Sequence, residues 1–273
     1  MDELSLISDR DQDKLTKLIS ERVQATVISA PGQSEIDLAL QFLKLQIKRL
    51  EVFEIKPDDS GVIKVEVIRD LLARTVISPN KMRYFLVMNA EKMGLAAQNA
   101  LLKSLEEPNA KNFFILLTHS QSAILPTVMS RSQHLKLRPL SVTKMRNYLK
   151  AKYPNFDPKQ FVQTEFIASD DFELWKQLII QPDLLKSYLE IAHIARLIVT
   201  QRQLIERLIE IRKIGKDREK ALKMTKLVTK IYSNLIVKRN DATHINNLEH
   251  WLKAQDRLVN YGSVQLVLTE AVL

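Results

Sequence analysis

Phosphate loops, metal sites and nucleophile elbows each demand particular residues at particular spacings, and few such sets exist in this chain. The glycines are Gly32, Gly61, Gly94, Gly215 and Gly262, with no two close in sequence. A dinucleotide fingerprint needs three glycines in a short run, a phosphate loop two ahead of Lys-Ser/Thr, and a nucleophile elbow two flanking a serine. None can be assembled. The histidines, His119, His134, His193, His244 and His250, contain no HExxH and no close pair suited to a metal, so each is read as structural and no metal is expected. Cysteine is absent, which excludes disulfides, thiolate zinc sites and thiol nucleophiles. Glu106 and Glu107 look like an acid/base pair. As neighbours near a helix end they point apart, and they are expected to be solvated or paired with basic groups.

The elements around these residues follow from hydrophobic patterning. The chain has 273 residues and 31.5 kDa, room for one large domain or a few small ones. Apolar residues make up 45% and charged residues 27%, an ordinary globular composition. No apolar run approaches the roughly 20 residues of a membrane helix, so no membrane partner is expected. The opening MDELSLISDRDQDK is acidic and lacks a basic n-region and an apolar h-region. A secretory signal is therefore not expected, and the expected location is cytoplasmic.

From Val23 to Leu137 short apolar runs alternate with longer amphipathic ones. The pattern predicts strands at 23–29, 52–55, 84–88, 113–118 and 133–137, and helices at 34–48, 65–77, 95–107 and 123–129. Several of the runs are apolar almost throughout, as strands buried on both faces are. The alternation implies βαβ units and a doubly wound parallel sheet. Arg138-Pro139-Leu140 ends it. Helical patterns alone follow, at 142–153, 157–167, 172–180, 183–214, 217–238, 240–260 and 263–272, with Pro154, Pro158 and Gln181-Pro182 as punctuation. Leu204, Ile205, Leu208, Ile209 and Ile211 recur at the spacing of a bundle helix. The expected division is an α/β domain over 1–139, a small helical domain over 140–181 and a larger all-α domain over 182–273. The net charge of +9 is concentrated between Lys186 and Arg239, where 14 Lys/Arg face 5 Asp/Glu. That fits either a polyanion or acidic partner surface, or a set of solvated helix faces.

Four ordered segments are the most specific feature. The apolar Tyr84–Met88 runs into Asn89-Ala90-Glu91-Lys92-Met93. A helix containing Asn99-Ala100-Leu101-Leu102-Lys103-Ser104-Leu105-Glu106-Glu107 follows, with Pro108 as its stop. Next come Phe113–Leu117 with Thr118, and then Leu125-Pro126-Thr127-Val128-Met129-Ser130-Arg131-Ser132. This order resembles the AAA+ clamp-loader subunits of replicative DNA polymerases. In that family a Walker B strand, a helix much like NALLKSLEEP, a sensor 1 strand and an L-P-T-x-x-S-R-C motif succeed one another. Lys56-Pro57-Asp58 and Ile63–Leu71 resemble the segment between Walker A and Walker B in bacterial delta-prime-type members. The resemblance covers about residues 55–139. It implies a P-loop-NTPase-like AAA+ domain, with the helical remainder matching the family's lid and collar by layout.

Departures from the family pattern carry a function of their own. A working P-loop holds phosphates with backbone N–H groups, a Lys, and a Ser/Thr for Mg²⁺. Here the corresponding stretch is Ala30-Pro31-Gly32-Gln33-Ser34-Glu35-Ile36-Asp37, with no Lys and with two carboxylates where polyphosphate would lie. Gly32 and Ser34 are thus remnants of Walker A. Asn89 and Ala90 stand in place of the Walker B Asp and Glu, and Glu91 is one residue too far along to substitute without re-registering the turn. No Arg lies between Arg146 and Arg196 to serve as sensor 2. The expectation is a chain that neither hydrolyses ATP nor holds any cofactor.

Arg131 remains where the other parts are gone. By resemblance it is a trans arginine finger, offered to ATP on a neighbouring subunit, with Ser130 in support and Ser132 replacing the usual Cys. An arbitrary Arg at a helix end would simply be solvated. Thr118, at the sensor 1 position, is expected to be a strand-end structural residue. Arg69, Arg74 and Lys103 are candidate phosphate contacts, and Trp175 and Trp251 candidate core or interface anchors. The family's four-cysteine zinc module is absent. The implied role is a non-hydrolysing stator of a hetero-oligomeric clamp loader. The implied partners are gamma/tau-type and delta-type subunits, the sliding clamp and primer–template DNA. Two alternatives stand beside it, a gamma/tau-type subunit with an unorthodox nucleotide site and an architectural DNA-binding AAA+ scaffold.

Overall fold

A computed structural model describes residues 2–76, 81–107, 110–201, 203–239, 243–260 and 262–273. The expected helix stop at Pro108 lies outside these. The chain divides into two compact units, one of Met1–Pro154 with Asp170–Glu173 and one of Asn155–Ser169 with Leu174–Leu273.

Five parallel strands form the centre of the first unit. They are β1 (Ala25–Ser29), β2 (Glu51–Ile55), β3 (Arg83–Val87), β4 (Asn112–Thr118) and β5 (Gln133–Lys136), in the order β2-β3-β4-β1-β5. β1 and β4 are buried along their whole length because helices cover both faces, which is why their sequences are apolar throughout. The edge strands β2 and β5 are more exposed and carry charged or polar residues, as edges must to discourage further pairing. Register places Phe53 opposite Phe85 and Phe85 opposite Phe114, and the rings stack at 5.2 and 5.0 Å. Tyr84 and Phe113 stack at 4.9 Å on the other face. Each such pair contributes about 0.5–1.5 kcal/mol beyond its buried area. The connecting helices are α2 (Gln33–Ile47), α3 (Val65–Val76), α4 (Leu95–Glu106) and α5 (Pro126–Met129). Their starts agree with the patterned expectations except at α5. There, residues 121–123 form a separate 3-10 turn and Pro126 opens the helix proper.

An N-terminal helix, α1 (Asp9–Ser20), was not foreseen from the acidic opening. Ser8 caps it by accepting the Asp11 N–H, and Asp11 is itself only 1% exposed. Its carboxylate accepts from the Ser8 hydroxyl at 2.7 Å and from the backbone N–H and Nε of Arg138, both at 3.3 Å. This ties α1 to the chain leaving β5. Burial pushes the Asp11 carboxyl upward, but the Ser8 and Arg138 hydrogen bonds and the Arg138 charge outweigh it and hold the group below its ordinary range. A depressed carboxylate stabilises the fold above its unfolded pKa of about 3.9, and that contribution disappears as pH falls through the folded value. Asp11→Asn is therefore expected to lower stability at pH 7 by about 1–3 kcal/mol and by progressively less below pH 4. Urea midpoints at the two pH values measure it. An equal loss at both would remove the ionised group from the account.

The first unit also contains α6 (Val142–Lys152), whose buried Tyr148 donates to Glu3 at 3.1 Å and meets Phe172 edge-on. The second unit is helical among the described residues. It comprises α7 (Pro158–Ala168), most of α8 (Phe172–Ile180), α9 (Pro182–Thr200), α10 (Leu204–Ile214), α11 (Arg218–Arg239), α12 (Thr243–Val259) and α13 (Val264–Val272). The single helix expected over 183–214 is two. The break at 201–203 carries neither Gly nor Pro. The Thr200 hydroxyl bonds back to the Arg196 carbonyl at 2.9 Å, and Arg207 Nε donates to the Gln201 carbonyl at 2.9 Å. Trp175 and Trp251 are core residues as expected, 0% and 1% exposed, and the Trp175 indole donates to Thr164 at 3.1 Å. The α10 stripe is corrected: Ile211 and Ile214 face the core, whereas Leu204, Ile205 and Ile209 are exposed. No helix among the described residues is long and apolar enough to cross a membrane.

Candidate functional site

In an open α/β sheet the crevice beyond the carboxyl ends of the strands is the natural ligand position. Here the ends of β1, β3 and β4 deliver Ala30–Ser34, Asn89–Glu91 and Thr118–His119. Gly32 is the N-cap of α2. A Cβ there would lie 2.8 Å from Glu35 Oε2, so a larger residue would make the end of that side chain shift. Glu35 is buried in the first turn of α2, where the helix dipole favours negative charge, and its Oε1 accepts the Leu140 N–H at 2.9 Å. Ser34, also buried, accepts the Glu173 N–H at 3.4 Å. Gly32 and Ser34 thus lie against protein carboxylate and backbone groups. Asp37 is half-buried and accepts from the Gln33 amide at 2.7 Å.

Opposite that loop, Asn89 adopts a left-handed conformation (φ 51°, ψ 51°), which asparagine tolerates better than most residues. A 3-10 turn at Ala90–Lys92 follows, with Ala90 fully buried in the core below the sheet end. This turn does what the sequence spacing had discounted: it re-registers Glu91 into the site. Glu91 Oε2 accepts from the Thr118 hydroxyl at 2.8 Å and from the His119 N–H at 3.4 Å. Thr118 is fully buried and holds this carboxylate, beyond the strand-end role expected of it. The Gln33 carbonyl oxygen accepts from Asn89 Nδ2 at 3.1 Å and lies 2.8 Å from His119 Nε2. A hydrogen on Nε2 satisfies the Gln33 contact but faces a second donor, Asn89 Nδ2, at 3.1 Å, and it leaves the buried Nδ1 without a partner among the described residues. Gln33, Asn89, Glu91, Thr118 and His119 form one connected polar network across the crevice. Among the described residues no Lys or Arg joins it, so phosphate would meet the carboxylates of Glu91 and Glu35 without a compensating cation. His119, read from the sequence as structural, and Gln33, quoted there only as part of the loop, are brought together by their positions beyond the ends of β4 and β1.

The second cluster surrounds Arg131 at the end of α5. Gln98, 2% exposed in α4, uses its whole amide. Nε2 donates to the carbonyls of Met93 and Ala123 at 3.1 and 3.0 Å, and Oε1 accepts the Leu125 N–H at 2.7 Å. It thereby fixes the residue before α5. Arg131 Nη1 donates to the Thr127 carbonyl at 3.1 Å and to Ser130 Oγ at 3.3 Å, and Nη2 pairs with Glu106 Oε1 at 2.6 Å. The Ser130 hydroxyl in turn donates to the Thr127 carbonyl at 3.1 Å. The Arg131 side chain is still 35% exposed. Glu106 pairs with a basic group, as expected of it.

Other candidates are partly committed elsewhere. Arg74 lies 5.4 Å over the Phe53 ring. In the basic stretch, Lys213 and Lys223 pair with Glu210 and Glu219, Arg196 covers Phe166, and Arg218 and Lys230 donate to backbone carbonyls. Part of that positive charge is thus paired within the second unit.

A parallel sheet ordered β2-β3-β4-β1-β5, a helix N-terminus at the crevice beyond its strand ends and a following helical part fit the fold of an α/β AAA+ domain. A solved DNA polymerase III, gamma subunit-related protein from Thermotoga maritima shares the fold, with a TM-score of 0.56 at 17% identity over 96% of this chain and 97% of that one. Residues 11–141 match the family model described as DNA polymerase III, delta subunit. Over that region the chain is similar to bacterial DNA polymerase III delta-prime and gamma subunits. The delta' subunit of Pseudomonas aeruginosa is 37% identical over 84 residues, 30% of this chain and 26% of that one. The delta' subunit of Bacillus subtilis is 32% identical over 88 residues, 32% and 26% respectively. The gamma subunit of Buchnera aphidicola (subsp. Schizaphis graminum) is 38% identical over 98 residues, 35% and 27%. The matched stretch thus spans about a quarter of these relatives' length.

Proposed function

We propose that the chain is a non-hydrolysing stator subunit of a DNA polymerase III clamp loader, placing Arg131 against ATP bound to a neighbouring gamma/tau-type subunit. One observation carries this: the nucleotide crevice is crossed by an internal polar network anchored on Gln33, Asn89 and Glu91, while Ser34 and Glu35 are bonded to Glu173 and Leu140. Arg131, in contrast, is exposed and hydrogen-bonded in place. In this reading 140–181 is the lid and 182–273 the collar that meets the gamma/tau-type and delta-type subunits. The assembly acts on the sliding clamp and primer–template DNA.

The isolated chain is expected to show no heat of binding when titrated with millimolar Mg²⁺·ATP, and no thermal shift. Saturable binding would overturn the stator reading. It would favour the second one, a gamma-type subunit with an unorthodox site, which the Glu91 carboxylate beside Thr118 supports. In that case Glu91→Gln should abolish hydrolysis while sparing binding.

A further inference from the structure

We propose that Glu106 is a positioning residue for Arg131, holding the guanidinium in the pose in which it meets a neighbour's phosphate; this rests on the trans-finger reading above. An exposed arginine samples many rotamers, and freezing it at the moment of reaction costs conformational entropy. In this structure that ordering is already done. Thr127 and Ser130 take the two contacts of Nη1 from the α5 side, and Glu106 takes Nη2 from the end of α4. The three acceptors belong to two helices, and Gln98 fixes the position of α4 against the residue preceding α5. The guanidinium is therefore gripped by a frame rather than by its own turn alone. These contacts occupy at most three of the five N–H donors, which leaves donors for a further acceptor. As a stability device the Glu106–Arg131 pair is weak, because both side chains are exposed. Its consequence lies in orientation, where small misplacements of a charge-stabilising group are costly.

The test uses the clamp loader reconstituted with its gamma/tau-type and delta-type subunits, the clamp and primed DNA. Glu106→Ala, Glu106→Asp, Glu106→Gln and Arg131→Ala are compared in steady-state ATPase. Glu106→Ala is expected to lower kcat about 3- to 10-fold with KM for ATP nearly unchanged. Glu106→Gln, which keeps an acceptor oxygen, is expected to recover part of that loss, and Glu106→Asp, whose shorter side chain falls short of Nη2, very little. Unfolding midpoints of the isolated variants should stay close to wild type. The proposal is overturned if Glu106→Ala leaves kcat unchanged or raises it while Arg131→Ala still reduces it. If Arg131→Ala itself has no effect, the trans-finger reading fails and takes this inference with it.

Discussion

Arg131→Ala is expected to leave the subunit folded and assembled but to cut hydrolysis at the neighbouring ATP site on the order of 10³-fold, the lower end of what a trans arginine supplies. The reasoning separates stability from chemistry. Arg131 is partly exposed and its partners are the adjacent turn and one exposed carboxylate, so its removal should cost under about 1 kcal/mol of folding free energy. In a phosphoryl transfer, however, a permanently charged planar fork stabilises charge that develops on the transferred group, and an alanine supplies nothing in its place. Turnover of the whole complex would fall less steeply, because other sites continue to fire. Single-turnover measurements on a loader with one competent site resolve the difference. Unchanged ATPase and clamp loading would mean that Arg131 is a structural remnant, and an architectural scaffold would become the better description.

Gln98→Leu is expected to be among the most destabilising single changes in the first unit, by about 2–5 kcal/mol. Leucine matches the volume but can neither accept the Leu125 N–H nor donate to the Met93 and Ala123 carbonyls, all served by one buried amide. Each buried group left unpaired costs about 1–3 kcal/mol. The urea midpoint should fall with little change in the slope m, since the surface exposed on unfolding is unaltered. A loss under about 0.5 kcal/mol would show that water or a local shift re-satisfies those groups. Because Leu125 directly precedes α5, the variant should also, on the proposed trans-finger role of Arg131, lower the reconstituted loader's ATPase at temperatures where it remains folded.

The sheet was legible in the sequence because buried parallel strands are written as apolar runs, and 84–88 and 113–118 are nearly uninterrupted. The AAA+ character was legible because motif order survives even where the motif residues do not. What escaped depended on geometry that no spacing encodes. The inward turn of Glu91 depends on one residue, Asn89, taking a positive φ. The Glu106–Arg131 pair requires two helices to be set side by side. The break between α9 and α10 has no Gly or Pro to announce it. In α1 the signal was present, since Ser8 precedes an acidic first turn in the manner of a capped helix, but the charge density of that opening obscured its apolar face.

The placement of the two tryptophans has an optical consequence. Trp175 and Trp251 are both buried in the second unit, and the first unit contains neither. Indole emission therefore reports melting of the helical unit alone, while the α/β unit, with its sheet, contributes through far-ultraviolet dichroism. If the two signals change at one denaturant concentration, the chain unfolds as a single cooperative body. If they separate, each unit has its own stability, and a substitution such as Gln98→Leu should move the dichroism transition and leave the emission transition where it was.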